Sequence, residues 1–198
     1  MTNLLLFSLL FIYFFKDSHN QLINSLFETT FLIDNENWII TGNKKQEPVK
    51  HQEYNYDNKM SNYVIAKDNL INVDWKHKDD KDLWYFKSPL IKLPSSSSRK
   101  PFLLSFTMMS FAGDFTKLNY CHALIKIRGN YTTFSYPYVK KYDGSIETFN
   151  VPLINSLWVS KDNNSLLDSV FKDEFQIEIL GDWTRGVEII GLDNIQIF

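Results

Sequence analysis

The apolar residues beyond position 60 occur in short pieces separated by Gly, Pro, Asn, Asp and Ser. These pieces cover residues 63–66, 70–75, 83–86, 102–111, 123–127, 132–138, 146–151, 175–180 and 187–198. Many short strand-like pieces with turn residues between them are typical of a sandwich or a barrel. We therefore predict an all-β fold, an antiparallel β-sandwich of the jelly-roll, galactose-binding-like type.

The clearest strand signal is the apolar–polar alternation in residues 175–179, Phe-Gln-Ile-Glu-Ile. Successive side chains of a strand point to opposite faces of its sheet. The three apolar residues are therefore expected in the core, and Gln176 and Glu178 are expected to face water. This segment predicts a half-buried antiparallel strand.

Residues 164–172 have helical spacing and predict the one short helix of the domain. Either Asp162 or Asn163 is placed to act as its N-cap, and one apolar stripe is formed by Leu166, Leu167, Val170 and Phe171. Residues 42–60, by contrast, have no apolar period. That polar stretch indicates an excursion over the surface.

The chain begins with a twelve-residue apolar run, Leu4–Phe15. A helix needs about 20 residues to cross a bilayer, so the run is too short to span and matches the apolar region of a secretory signal peptide. We predict a signal peptide in residues 1–18, a polar linker in 19–30 and a single domain in 31–198, in a secreted or lumenal protein. An uncleaved signal-anchor in residues 1–18 is the alternative.

Two glycosylation sequons occur in the predicted domain, Asn130-Tyr-Thr132 and Asn163-Asn-Ser165. In a secreted protein such sequons are acceptors of N-linked glycans. Asn130 and Asn163 are therefore predicted modification sites.

Composition and charge exclude several classes of function. The 198 residues include 21 basic and 23 acidic ones, for a net charge of -2, so the chain has no broad positive field to attract nucleic acid. Its one cysteine, Cys121, rules out an intramolecular disulfide framework and a cysteine-rich zinc site. Stability must come from packing, for which 16 Phe, 10 Tyr and 5 Trp residues supply large buried areas.

The usual signatures of catalysis are missing from the sequence. It contains no His-Glu-x-x-His, no phosphate-binding Gly-rich loop and no nucleophile elbow. A glycoside hydrolase needs two carboxylates across a cleft, and the nearest candidates, Glu178, Asp182 and Glu188, each lie among apolar residues, like the solvent-facing positions of ordinary strands. We predict that the protein is not an enzyme, with a glycan-acting hydrolase as the alternative.

Three aromatic residues spaced two apart, Phe134, Tyr136 and Tyr138, would share one face of a strand. Such a face could offer aromatic planes on which sugar rings stack, so these residues are candidate ligand-binding residues. The alternative, which we favour, is that this face belongs to the core, because large aromatic side chains are usually mostly buried.

Three acidic residues near the ends of the domain, Asp34, Glu36 and Asp193, form a candidate calcium site. Calcium prefers carboxylate and carbonyl oxygens, and these three would meet if the first and last strands pair. Turn chemistry, in which Asp side chains bond to nearby backbone amides, is the alternative. Calcium is the one cofactor that the sequence suggests.

The segments Leu83-Trp-Tyr-Phe-Lys-Ser-Pro89 and Gly191-Leu-Asp-Asn-Ile195 resemble the laminin IV type A domain, also called laminin B. The order of features is also similar, and the resemblance covers about residues 31–198. A closing Leu-Asp-Asn strand also occurs in jelly-roll modules of the carbohydrate-binding type. The resemblance implies a β-jelly-roll that acts as a non-catalytic extracellular module in matrix or adhesion settings.

Together these observations predict a non-catalytic binding or adhesion module that recognises a glycan or an extracellular protein. Two alternatives stay open. One is the glycan-acting hydrolase, and the other is a structural subunit of a membrane-associated lumenal assembly. Contact with a membrane is expected only if the Leu4–Phe15 segment is retained.

Overall fold

The computed structural model describes residues 24–42, 50–56, 59–68, 83–94, 100–118, 123–137, 142–160, 162 and 165–198. The strands, in chain order, are β1 (Phe27–Thr29), β2 (Ile39–Thr41), β3 (Lys50–Tyr56), β4 (Lys59–Asp68), β5 (Tyr85–Lys87), β6 (Leu103–Ala112), β7 (Ile125–Arg128), β8 (Thr133–Tyr136), β9 (Glu147–Pro152), β10 (Val159–Ser160), β11 (Gln176–Leu180) and β12 (Glu188–Ile197). A short 3-10 turn (Asn155–Leu157) and one short helix, α1 (Leu167–Val170), complete the described elements.

The strands form two antiparallel sheets of six strands each. In the first sheet the order is β3-β4-β12-β6-β9, and β1 pairs with the end of β12. In the second sheet the order is β10-β8-β7-β11-β5-β2. This arrangement confirms the predicted all-β sandwich of jelly-roll type with one short helix. Strand β1 lies within residues 19–30, so the first sheet includes part of the stretch that was expected to be a linker.

The core lies between the two sheets and combines aliphatic side chains with several aromatic pairs. Phe106 and Phe149 stack with ring centroids 5.0 Å apart, and Phe31 meets Trp38 edge-on at 5.8 Å. Pairs of this kind contribute about 0.5–1.5 kcal/mol each beyond the area that they bury. The largest fully buried side chains are Trp38, Trp84, Tyr85, Tyr142, Phe31, Phe86, Phe106 and Phe175.

Two local expectations were wrong. Residues 50–56 and 59–68 form the hairpin β3–β4, although the polar stretch 42–60 indicated a surface excursion. Strand β3 lies at the edge of its sheet, where pairing with one neighbour does not require an apolar face.

The predicted helix over 164–172 is also shorter than expected, because only Leu167–Val170 are helical. Leu166 takes the N-cap position and makes no side-chain capping bond. The amide of Leu167 instead donates to Oδ1 of Asn155 at 2.6 Å, so a distant asparagine satisfies the end of the helix that Asp162 or Asn163 was expected to cap. Asn163 lies outside the described residues.

The predicted signal segment, 1–18, also lies outside the described residues. Within the part of the chain that the structure describes, no helix has the length and apolar character needed to cross a membrane.

Candidate binding surface

Two of the three aromatic candidates, Phe134 and Tyr136, lie on the inner face of the second sheet. Phe134 is 2% exposed and belongs to the core, which agrees with the core interpretation of this face. Tyr136 is half-buried, and its ring packs 5.3 Å from that of Trp158. Tyr138 lies outside the described residues. Phe134 is therefore not an open stacking platform, and a ligand role for Tyr136 stays a prediction.

The opposite, outer face of the same sheet carries a set of polar side chains that the strand register brings together. Glu178 on β11 lies opposite Lys87 on β5 and Lys126 on β7, and Lys126 lies opposite Ser135 on β8. Two residues away along these strands, Gln176 lies opposite Arg128. Directly opposed residues of an antiparallel pair share a face. We call this set the polar face and define it as Lys87, Lys126, Arg128, Ser135, Gln176 and Glu178.

Glu178 is the buried centre of the polar face. It is 2% exposed, and its Oε1 accepts a hydrogen bond from Nε of Arg128 at 2.6 Å. Alternation correctly predicted that Glu178 points away from the core between the sheets, but the expectation that it faces water was wrong. A buried carboxylate is costly without an opposite charge, and Arg128 supplies that charge.

The neighbouring groups of the polar face are held in fixed positions. Nζ of Lys126 lies 4.1 Å from the ring centroid of Tyr85, in cation–π geometry. Nε2 of Gln176 donates to the carbonyl oxygen of Ser88 at 3.1 Å. The Ser88 hydroxyl oxygen in turn accepts a bond from the amide of Ile177 at 2.8 Å. The polar groups are thus attached to a rigid sheet rather than to mobile loops.

The polar face was missed at the sequence level, although a signal for it was present. The segment Ile125–Arg128 alternates apolar and basic residues, so Lys126 and Arg128 belong to one face of a strand. What the sequence does not give is the order of strands. That order places these two cations beside Glu178 on β11, which is about fifty residues further along the chain.

The other two acids that were considered for hydrolysis lie elsewhere. Glu188 is fully buried, and its carboxylate accepts bonds from the backbone amides of Trp183 and Thr184 and from Nε1 of Trp84. Burial, and after it the neighbouring carboxyl of Asp182, raises the pKa of Glu188 to about 8. Both acids are buried, so the interpretation of Asp182 and Glu188 as solvent-facing positions was wrong.

Glu178 and Glu188 also belong to different surroundings. Glu178 lies on the outer face of the second sheet, whereas Glu188 bonds to the indole of Trp84, a residue of the core between the sheets. A pair of hydrolytic carboxylates must face the same scissile bond from about 5–10 Å. The geometry therefore gives no support to hydrolysis by Glu178 together with Glu188.

Each candidate calcium ligand accepts bonds from groups close to it in the chain. The first and last strands do pair, with Thr29 opposite Ile195. Glu36 accepts a bond from the Thr29 hydroxyl and another from the Phe31 amide at 3.1 Å, in the manner of turn chemistry. Asp193, in contrast, lies opposite Thr107 before an irregularity in the ladder.

Asp193 bonds locally, since its Oδ1 accepts from the amide of Asn194 at 2.7 Å, and burial raises the pKa of Asp193 to about 6. Asp34 is exposed, and its Oδ1 accepts from the amide of Glu36. In the described ranges, no three His, Cys, Asp or Glu side chains are grouped so that they could hold a metal ion. The structure thus does not bring Asp34, Glu36 and Asp193 together, and calcium binding stays a prediction.

Comparison with known proteins finds likeness in structure alone. No family model and no curated protein matches the sequence. The L4b domain of human laminin alpha-2 is similar to this chain with a TM-score of 0.58 and 10% identity, over 88% of this chain and 98% of that one. A family 11 carbohydrate-binding module from Clostridium thermocellum, solved in complex with a β-1,3-1,4-mixed-linked tetrasaccharide, gives a TM-score of 0.42 and 16% identity, over 88% and 97%. The chain has a laminin-like jelly-roll fold, which confirms at the level of fold the resemblance seen in the sequence.

Proposed function

We propose that this protein is a non-catalytic binding module whose polar face recognises a glycan. The observation that carries the proposal is the register of the second sheet, which assembles Lys87, Lys126, Arg128, Ser135, Gln176 and Glu178 on one outer face. The proposed setting is extracellular or lumenal, as the apolar N-terminal run and the laminin-like fold suggest.

The chemistry of the polar face suits a polyhydroxylated ligand. Each sugar hydroxyl both donates and accepts hydrogen bonds, and the face offers cationic donors together with amide and hydroxyl oxygens, while the buried carboxylate of Glu178 holds Arg128 in place. Hydrogen bonds with one charged partner are about twice as strong as those between neutral groups.

The dimensions of the polar face also suit an extended ligand. Neighbouring strands lie about 4.8 Å apart, so the four registered positions from Lys87 to Ser135 extend over about 14 Å, enough for a short linear oligosaccharide. Because the groups are fixed on strands, binding requires little ordering of side chains.

A glycan array followed by calorimetric titration of the purified chain tests the proposal. We expect a glycan to bind and its affinity to fall at least tenfold in Lys87→Ala, which removes a donor, and in Ser135→Trp, which covers the face. Lys67→Ala is the matched control, because Lys67 is an exposed lysine on β4 of the other sheet. Its affinity should equal that of the parent chain.

Three results would contradict the proposal. If no glycan on the array binds, the search moves to extracellular protein partners. If a glycan binds equally well to both polar-face variants but not to Tyr136→Ala with an unchanged melt, the ligand contacts the aromatic residues of β8 instead. If the glycan is cleaved, the protein is a hydrolase and not a binding module.

A further inference from the structure

The connection between β7 and β8 is a tight turn that projects from the end of the second sheet. Strand β7 ends at Arg128 and β8 begins at Thr133, and the amide of Gly129 donates to the carbonyl oxygen of Thr132 at 2.9 Å. Asn130 and Tyr131 occupy the two central positions of the turn, and both are exposed. Tyr131, at 94%, is the most exposed large hydrophobic side chain among the residues described.

The base of this turn is packed while its tip is open. A Cβ added to Gly129 would lie 3.2 Å from the methyl groups of Val170, so the backbone at the base runs close against α1. The hydroxyl of Thr132 lies 3.1 Å from that of Ser160 on the adjacent strand β10. Only the tip therefore has room for a large substituent, which would extend into solvent without disturbing the sheet.

We propose that Asn130 carries an N-linked glycan at the tip of the β7–β8 turn. The residues Asn130-Tyr-Thr132 satisfy the sequon, and the fold presents the acceptor amide where a bulky, solubilising group is tolerated. A glycan at this position also covers the ring of Tyr131, an apolar surface that is otherwise left in water. This modification is independent of whether the polar face binds a ligand.

Expression of the full chain in a eukaryotic cell line, with its own N-terminus and with an added cleavable secretory signal, tests the proposal. All forms carry Asn163→Gln, so that the second sequon does not contribute. Glycosylation is measured on the protease-protected chain from total membranes and on the chain from the medium. One readout is gel mobility before and after endoglycosidase treatment, and the other is mass spectrometry of the Asn130 peptide. The signal-bearing form makes the measurement independent of the N-terminal segment.

We expect one endoglycosidase-sensitive mobility shift in the Asn163→Gln chain and its complete loss in Asn130→Gln. Thr132→Ser, which keeps the sequon, should retain the shift. Asn130→Gln is preferred to Thr132→Ala as the knockout, because Thr132 also contacts Ser160. A protease-protected chain with the added signal and an unmodified Asn130 peptide would overturn the proposal.

Discussion

Among the described residues, two glutamates are almost fully buried, and they are stabilised in different ways. Glu178, on the outer face of the second sheet, receives a 2.6 Å bond from the guanidinium of Arg128, whose own side chain is 44% exposed. Glu188, at the start of β12, receives bonds from two backbone amides and one indole and lies near a second acid, Asp182.

The difference shows that burial alone does not determine how an acid behaves. An opposite full charge offsets the cost of removing a carboxylate from water. Neutral N–H donors offset that cost only in part. Burial and the neighbouring acid therefore outweigh the three donors at Glu188 and raise the pKa of that carboxyl. The Glu178 region is stabilised by its ion pair with Arg128, whereas the Glu188 region depends on tight packing and on pH.

The largest expected effect tests the packing around Glu188. A Cβ at Gly181 would overlap the ring of Trp84, which donates to Glu188. We expect Gly181→Ala to lower the free energy of unfolding by about 4 kcal/mol, from overpacking together with a weakened bond to the buried carboxyl. Chemical denaturation measures this loss.

Gly186 provides the matched control in the same loop. Nothing lies within 4 Å of a Cβ added there, so Gly186→Ala should leave stability nearly unchanged. Equal losses in the two variants would show that the loop backbone, and not contact with Trp84, limits substitution.

The next effect concerns the ion pair. Removing one partner of a buried pair costs about 3–5 kcal/mol, and we expect Arg128→Ala to cost about 3 kcal/mol because Arg128 is partly exposed. Adding Glu178→Gln to Arg128→Ala should recover part of that loss, since the second change removes the unpaired buried charge. A double-mutant cycle measured by denaturation checks this.

Lys100→Ala is the control, because it breaks an exposed pair with Asp168. If Arg128→Ala has no more effect on stability than Lys100→Ala, the comparison between the two glutamates fails.

Only part of the surroundings of Glu178 could be predicted from the sequence. Alternation in residues 175–179 was sufficient to place Gln176 and Glu178 on the face away from the core, because the two-residue period is local. It could not show that Glu178 is buried, because its neighbours Lys87, Lys126 and Arg128 are brought to it by the non-local pairing of β11 with β5 and β7.

The positions of Glu188 and Asp193 could not be predicted for the same reason. Val187 to Ile190 reads as an ordinary strand, and nothing local shows that the carboxylate of Glu188 turns toward Trp84, 104 residues earlier in the chain. Pairing of the first and last strands was only a condition of the calcium hypothesis; β1 does pair with β12, but the irregularity in the ladder after Asp193 was not predicted. Such irregularities change which face a residue takes, and their position cannot be read from composition.

The third effect is a dependence of stability on pH. The pKa of Glu188 is raised from 4.5 to about 8 in the folded protein, so the folded state binds a proton that the unfolded state releases. Stability from this group is present below about pH 4.5 and is lost as the pH rises through about 8. Between pH 6 and pH 8 the loss is about 2 kcal/mol, and thermal or chemical denaturation across that range measures it.

Glu188→Gln isolates this contribution, because a neutral amide resembles the protonated acid and does not titrate. The amide nitrogen of the variant cannot accept the N–H bond that one carboxylate oxygen receives, so the variant should be less stable than the parent at pH 6, but it should lose less stability by pH 8. The pKa of Asp193 is about 6, so this residue loses its proton mainly near the lower end of the pH range in which Glu188 is measured. Parallel stability curves for the parent and Glu188→Gln would contradict the assignment.

The smallest expected effect concerns calcium and extends the comparison to a third acidic region, Asp34, Glu36 and Asp193. Among the residues that the structure describes, no guanidinium pairs with these acids as Arg128 does with Glu178. Glu36 already bonds to Thr29 and Phe31, so a cation would have to replace those bonds, and weak binding is expected. At ten times its dissociation constant, calcium would stabilise the fold by about 1.4 kcal/mol. The melting temperature should therefore rise with calcium and fall again with chelator. Magnesium and an Asp193→Asn variant serve as controls. A melt that is unchanged by calcium and chelator would leave these acids to turn chemistry alone.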